Sequence, residues 1–258
     1  MVKKICVSLV IGIVLIITLP KFVHSDDYPL LNYGYTAFPV KQHDIQMISE
    51  VVKITPSQAN WKNYPFMPMK TEATFVFKNT SDKKIKLEMG FPFNEENRCV
   101  PFTTTINGQK VKVSKIHTKK LEPKINIKYS YKWSITFKPY EQKIVQNIYY
   151  CNAIDLSQGN SEYYVNYITK TGSFWKGPIK RADFYVAIPP KSVTPIDYQA
   201  FLQKLSKSPR KCDNYRCRTI QPIGYQIKNG FIEWHFRNWK PTENILVEIT
   251  VYLSKQYD

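Results

Sequence analysis

The residues with the most definite chemistry in this chain are its cysteines. Four of the five follow residue 25, at Cys99, Cys151, Cys212 and Cys217. An even number of cysteines in an exported protein is typical of disulfide bonds, and four cysteines allow three pairings. The short Cys212–Cys217 loop favours a local bridge, and Cys99 would then pair with Cys151. A metal site is the alternative, but it would need two closely spaced pairs, and only one pair here is close.

A lysine- and arginine-rich segment, residues 204–218, is the second candidate for chemistry. It contains six basic residues and one acidic residue, and a Cys212–Cys217 bridge would fix its tip. Concentrated positive charge favours an anionic ligand, although a solvated loop is the alternative. Aromatic side chains that could stack on bases are limited to one tyrosine, so we expect no specific nucleic acid partner. The candidate binding residues of this segment are Lys204, Lys207, Arg210, Lys211, Tyr215, Arg216 and Arg218.

Trp175 is a further candidate for binding. It lies in the segment 171–178 between Gly172 and Gly177, and loops on a rigid β-scaffold often carry function. The alternative, which the pattern favours, is structural: Trp175 would close one end of the apolar core, and the glycines would shape the turn.

Motifs of the common enzyme classes are missing from the sequence. It contains no nucleophile elbow, phosphate-binding loop, zinc-protease helix or EF-hand loop. His43, His117 and His235 are far apart, and the pair Glu95-Glu96 is more typical of a solvated turn than of a calcium site. We therefore predict no catalytic residue, no cofactor and no metal. The alternative is a carbohydrate-active or other hydrolase, in which distant Asp, Glu and His residues converge in a cleft.

The N-terminus has the layout of a secretory signal peptide. Lys3 and Lys4 precede an apolar run from Ile5 to Leu19, and Val23-His24-Ser25 suits a cleavage position. The run is shorter than the roughly 20 residues that span a bilayer. We expect cleavage after Ser25 and a secreted or extracytoplasmic protein; an uncleaved N-terminal membrane anchor is the alternative. Cleavage would remove three lysines and lower the net charge from +17 to +14.

The elements that must position these residues are predicted to be strands. Aromatic residues make up 14% of the chain, with 18 Tyr and 14 Phe, and aromatic residues favour strands. Alternating patterns predict a hairpin of residues 71–77 with 85–89 around the polar turn 78–84. Asn107-Gly108 and Asn229-Gly230 predict two further hairpins. In the first of these, lysines on the return strand 110–116 would protect a sheet edge.

The strand spacing predicts an all-β, immunoglobulin-like β-sandwich, with one short helix at 195–205. After the signal peptide, 1–25, we expect an N-terminal β-sandwich at 26–154 and a C-terminal β-rich lobe at 155–258. A single extended sandwich is the alternative.

Several segments of residues 40–190 resemble an exported bacterial family built on a β-rich domain of unknown function. They include Asp44-Ile45-Gln46-Met47-Ile48-Ser49-Glu50 and the more specific Thr171-Gly172-Ser173-Phe174-Trp175-Lys176-Gly177-Pro178-Ile179. The resemblance implies an extracytoplasmic β-rich protein with no assigned activity. Together with the basic charge, it predicts a non-enzymatic binding or structural module. Its expected partner is an anionic wall polymer, a membrane surface or another protein.

Overall fold

The computed structural model describes residues 24–25, 28–33, 36–39, 41–57, 68–93, 101–118, 129–157, 160–189, 210–213 and 216–251. These residues are almost entirely β-structure, which confirms the predicted all-β class. The strands are β1 His24–Ser25, β2 Tyr28–Tyr33, β3 Thr36–Pro39, β4 Ile45–Pro56, β5 Pro68–Asn79, β6 Ile85–Phe93, β7 Thr103–Ile106, β8 Gln109–Lys110, β9 Ser114–Thr118, β10 Tyr129–Phe137, β11 Gln142–Asn152, β12 Ile154–Ser157, β13 Asn160–Ile168, β14 Ile179–Ala187, β15 Arg210–Asp213, β16 Arg216–Gln221, β17 Gln226–Lys228, β18 Phe231–Trp239 and β19 Ile245–Val251. A 3₁₀ helix spans Lys170–Phe174. The helix predicted at 195–205 lies outside the described residues.

The described strands form three sheets. The largest has eight strands in the order β17-β18-β14-β4-β5-β11-β7-β8. The second has the order β1-β13-β19-β16-β15, with β12 paired on β13, and β10-β6-β2-β3-β9 close into a small barrel. Strands from both sides of the predicted boundary at residues 154 and 155 therefore share the largest sheet, through the parallel pairing of β4 with β14.

One apolar core joins the three sheets. Long strands of the eight-stranded sheet alternate between buried and more exposed residues, as in β5, because successive side chains point to opposite faces. Phe184 of this sheet packs 5.9 Å from Tyr167 of the six-stranded sheet, measured between ring centroids. Tyr149, from the other half of the same sheet, packs 4.8 Å from Phe91 of the barrel. Both the six-stranded sheet and the barrel therefore pack against the eight-stranded sheet.

The predicted hairpin of residues 71–77 with 85–89 is wrong. β5 pairs with β4 and β11, whereas β6 pairs with β10 and β2, so the turn between β5 and β6 crosses from one sheet to another. Buried Asn79 redirects the chain: its Nδ2 donates to the carbonyls of Lys83 at 2.6 Å and Lys138 at 2.9 Å. Its Oδ1 accepts from the Ser81 amide at 3.0 Å.

Both Asn-Gly hairpins are confirmed. β7 pairs with β8 around Asn107 and Gly108, which have φ of 50° and 80°. β17 pairs with β18 around Asn229 and Gly230. Positive φ at both central positions is what a type I′ turn requires. The return strand predicted for 110–116 is shorter than expected, because the chain leaves this sheet after Lys110 and joins the barrel as β9. Lys110 is exposed on the edge strand, a position in which lysine opposes edge-to-edge association.

Candidate functional site

Five polar side chains meet on the outer face of the eight-stranded sheet, where β14 lies beside β18. Cross-strand register sets Arg181 opposite Arg237 and Asp183 opposite His235, while Tyr185 lies opposite Glu233. Because side chains alternate between the faces of a strand, all of these residues project from the same face. We call Arg181, Asp183, Glu233, His235 and Arg237 the Asp183 cluster.

Asp183 is the centre of this cluster. Its Oδ1 lies 3.0 Å from Arg237 Nη1, which donates to it, and 3.0 Å from His235 Nδ1. Arg181 Nε donates to the second carboxylate oxygen, Oδ2. Although Asp183 projects from the outer face, its side chain is only 1% exposed, since these three residues cover it. A shared carboxylate also offsets the repulsion between two arginines that lie directly opposite each other.

The groups around Asp183 hold its carboxylate in the ionised form. Burial alone would raise the pKa of Asp183, but hydrogen bonds from His235, Arg181 and Arg237 hold it below its usual value. A carboxylate that stays ionised cannot serve as a general acid near neutral pH. His235 is also engaged at both ring nitrogens, because its Nε2 lies 3.3 Å from the Glu233 carboxylate. Asp183, His235 and Glu233 thus converge here, with both carboxylates within hydrogen-bond distance of the imidazole.

A second ionisable group lies inside the core. Glu50 on β4 is fully buried between the eight-stranded and six-stranded sheets. Burial raises the pKa of its carboxyl to about 8, and the adjacent Tyr167 side chain opposes that rise in part. A carboxyl group in such surroundings is held in its neutral form at physiological pH, because ionisation without solvent is costly. Glu50 therefore acts as a neutral core residue near pH 7.

Trp175 is not an exposed binding residue, which corrects that candidate role. It is 2% exposed, and its ring lies 4.5 Å from that of Phe77. The following residue, Lys176, donates its amide to the carbonyl of Ile45 at 3.0 Å. Gly177, with a φ of 64°, then turns the chain into β14. Trp175 therefore packs against the core at the start of β4, and its ring is not available to a ligand.

The basic segment is described only in part. Residues 210–213 and 216–218 fall on β15 and β16, which form an antiparallel hairpin, and β15 is the last strand in the order of the six-stranded sheet. We call this pair of strands the basic hairpin. Its register places Lys211 opposite Arg218 and Asp213 opposite Arg216. Lys204, Lys207 and Tyr215 lie outside the described residues.

Two of the predicted cysteine positions are consistent with bridging. Cys212 lies directly opposite Cys217 in the basic hairpin. Directly opposed residues of antiparallel strands have Cα atoms about 4.5–5.5 Å apart, within the range of disulfides. Cys151 is buried and disulfide-bonded. Its predicted partner Cys99 lies outside the described residues, as do Glu95 and Glu96, so the Cys99–Cys151 pairing stays a prediction.

Sequence reasoning treated His235 as isolated and missed the Asp183 cluster. The signal was present as polar residues at alternate positions, Arg181 and Asp183 in one apolar strand and Glu233, His235 and Arg237 in another. What the pattern could not provide was the pairing of β14 with β18.

Within the described ranges, no group of three or more His, Cys, Asp or Glu residues is arranged to hold a metal ion. The same residues include no helix that is long and apolar enough to cross a membrane.

The fold is similar to that of known structures. A "putative nutrient binding protein" from Legionella pneumophila aligns with a TM-score of 0.65 at 19% identity, over 88% of this chain and 70% of that one. An M1 zinc metallopeptidase from Deinococcus radiodurans aligns over 82% of this chain and 43% of its own length, but with a TM-score of only 0.31. No family model and no curated protein matches the chain. The first likeness shows a shared fold.

Proposed function

We propose that this protein is an exported, non-enzymatic binding module that contacts an anionic component of the cell envelope through the basic hairpin. The observation that carries the proposal is the register of β15 and β16, in which Lys211 lies directly opposite Arg218. Like charges at directly opposed positions destabilise a hairpin. An anionic ligand would remove that repulsion. Among the described strands, β15 is the last in the order of its sheet.

Two further observations support a binding role. The chain keeps a formal charge of +14 after the predicted cleavage, and such a charge attracts anionic surfaces over a Debye length of about 8–10 Å at moderate salt. The Legionella protein with the shared fold is a "putative nutrient binding protein". The hydrolase alternative is the second candidate, because Asp183, His235 and Glu233 converge within hydrogen-bond distance. An ionised aspartate beside a histidine is compatible with either role.

Vesicle sedimentation tests the proposal. The mature chain should bind vesicles of phosphatidylcholine with phosphatidylglycerol and should not bind phosphatidylcholine alone. A basic residue near an anionic surface contributes about 1 kcal/mol, so Lys211→Gln with Arg218→Gln should weaken binding by roughly 30-fold. Lys83→Gln with Lys84→Gln is the matched control, since it removes two positive charges at exposed positions of the turn between β5 and β6. Binding that is insensitive to salt, or equally weakened in both double variants, would contradict a role for the hairpin.

The proposal also includes export and two disulfide bonds. We expect the secreted protein to begin at Asp26, as N-terminal sequencing would show. Cleavage there would remove β1, which pairs with Tyr167 and Ile168 of β13. Peptide mapping without reduction should recover Cys212 linked to Cys217 and Cys151 linked to Cys99. A mature N-terminus at Met1 would instead indicate an uncleaved anchor.

A further inference from the structure

The exposed surface of the Asp183 cluster contains more hydrogen-bond donors than its carboxylates occupy. A guanidinium group carries five N–H donors. Arg181 uses Nε on Asp183, and Arg237 uses Nη1 on Asp183 and on the carbonyl of Phe236 at 2.8 Å. The side chains of Arg181 and Arg237 are nevertheless 59% and 56% exposed. Several donors of each arginine therefore face solvent.

Both arginines are also held in place. Long cationic side chains on a surface normally lose conformational entropy when they order around a ligand. Here Asp183 already anchors both guanidinium groups from below, and it is itself fixed by burial and by His235. Cross-strand register keeps Arg181 and Arg237 directly opposite each other. A ligand that bridges them would thus meet a largely preorganised pair.

The carboxylates near Arg181 and Arg237 do not prevent an anion from binding to these two arginines. Asp183 is compensated by the two arginines that it anchors, and Glu233 lies beyond His235, whose Nε2 it faces. Glu233 is 11% exposed at its side chain, so its carboxylate is largely withdrawn from the outer surface. The solvent-facing part of the cluster is therefore formed mainly by the two guanidinium groups and the edge of the imidazole.

We propose that Arg181 and Arg237 form an oxyanion-binding site that takes a phosphate or carboxylate group across the β14–β18 pair. Planar guanidinium forks match both groups through paired hydrogen bonds. Asp183 and His235 are positioning residues that hold the two arginines. This site lies on a different sheet from the basic hairpin and does not depend on the function proposed for it.

The test uses the mature chain with inorganic phosphate and with acetate as probes, followed by NMR of the arginine side-chain N–H groups. Saturable shifts at Arg181 and Arg237 with either probe are expected. Charge-assisted hydrogen bonds contribute about 1.5–3 kcal/mol each, so Arg181→Gln with Arg237→Gln should weaken binding by about tenfold or more even if only one such bond is lost. Lys78→Gln with Lys138→Gln removes the same charge from exposed positions elsewhere and should leave binding unchanged.

A second variant guards against loss of the fold. Arg181→Lys with Arg237→Lys keeps both charges beside Asp183 but removes the planar fork, and it should still weaken phosphate binding severalfold. Three results would each overturn the proposal: shifts that do not saturate with either probe, equal weakening in the control variant, or unchanged binding in the lysine variant. Vesicle binding through the basic hairpin is measured separately, so failure of one site leaves the other interpretable.

Discussion

At the scale of single residues, Glu50 makes stability depend on pH. The folded protein keeps the Glu50 proton up to about pH 8, whereas the unfolded chain releases it near its ordinary value of 4.5. The folded state therefore binds more protons between these values, and the free energy of unfolding should fall as pH rises through this range. Each unit of pKa difference corresponds to about 1.4 kcal/mol.

Glu50→Gln should flatten this dependence, because glutamine has no proton to release. Urea denaturation at a series of pH values from 5 to 8 measures it; the pH range follows from the raised pKa of Glu50. Glu243→Gln is the matched control, since Glu243 is exposed, and it should keep the slope of the unmodified protein. A slope that survives in Glu50→Gln would show that other groups cause it.

Asp183 has the opposite pH behaviour. Its pKa is lowered in the folded protein, so its contribution is present above the ordinary carboxyl pKa and is lost as pH falls through the lowered value. Asp183→Asn should reduce the free energy of unfolding at pH 7 by about 1–3 kcal/mol, because charge-assisted hydrogen bonds are weakened while the exposed arginines stay hydrated. The same loss measured well below the ordinary carboxyl pKa should be much smaller. An equal loss at both pH values would contradict this account.

At the scale of elements, the turn between β5 and β6 depends on Asn79. Its amide connects two crossings between sheets, because it contacts Lys83 in one turn and Lys138 in the other. Asn79→Ala should destabilise the protein by about 1–3 kcal/mol, since the hydrogen bonds of the buried Asn79 amide to both turns are lost. Lys83→Ala should change stability by less than about 0.5 kcal/mol, because its side chain is exposed. Equal urea midpoints for the two variants would refute a structural role for the Asn79 amide.

The same turn shows how far sequence reasoning reached. Alternation located β5 and β6, and Asn-Gly located two hairpins, because these signals are local. The polar run 78–84 looked like an ordinary hairpin turn, since nothing local distinguishes a turn within a sheet from a turn between sheets. That difference depends on Lys138 contacting Asn79. The Asp183 cluster was missed for the same reason, because it exists only once β14 and β18 are paired.

At the scale of the whole molecule, the halves on either side of residue 154 share a sheet and a core. A fragment that ends at residue 154 would leave one edge of β4 without its β14 partner and would expose apolar residues such as Phe75 and Val52, which are buried in the intact protein. We expect this fragment to aggregate or to lack the near-UV circular dichroism signal of fixed aromatic side chains, in contrast to the intact mature chain. A monomeric fragment with cooperative urea unfolding would show that the N-terminal half is an independent domain.

The parallel pairing of β4 with β14 also bears on how the chain reaches its folded state. Ser49 of β4 is paired with Arg181 of β14, so β4 must wait until most of the chain is present before its second edge is covered. Pairings over such long separations slow folding, because loop closure is entropically costly. Slow folding keeps a newly made chain unfolded for longer, which is the state in which a protein can be threaded through a narrow export channel. For the export proposed above, the sheet topology would therefore be favourable, because β4 gains its second partner only after β14 has been made.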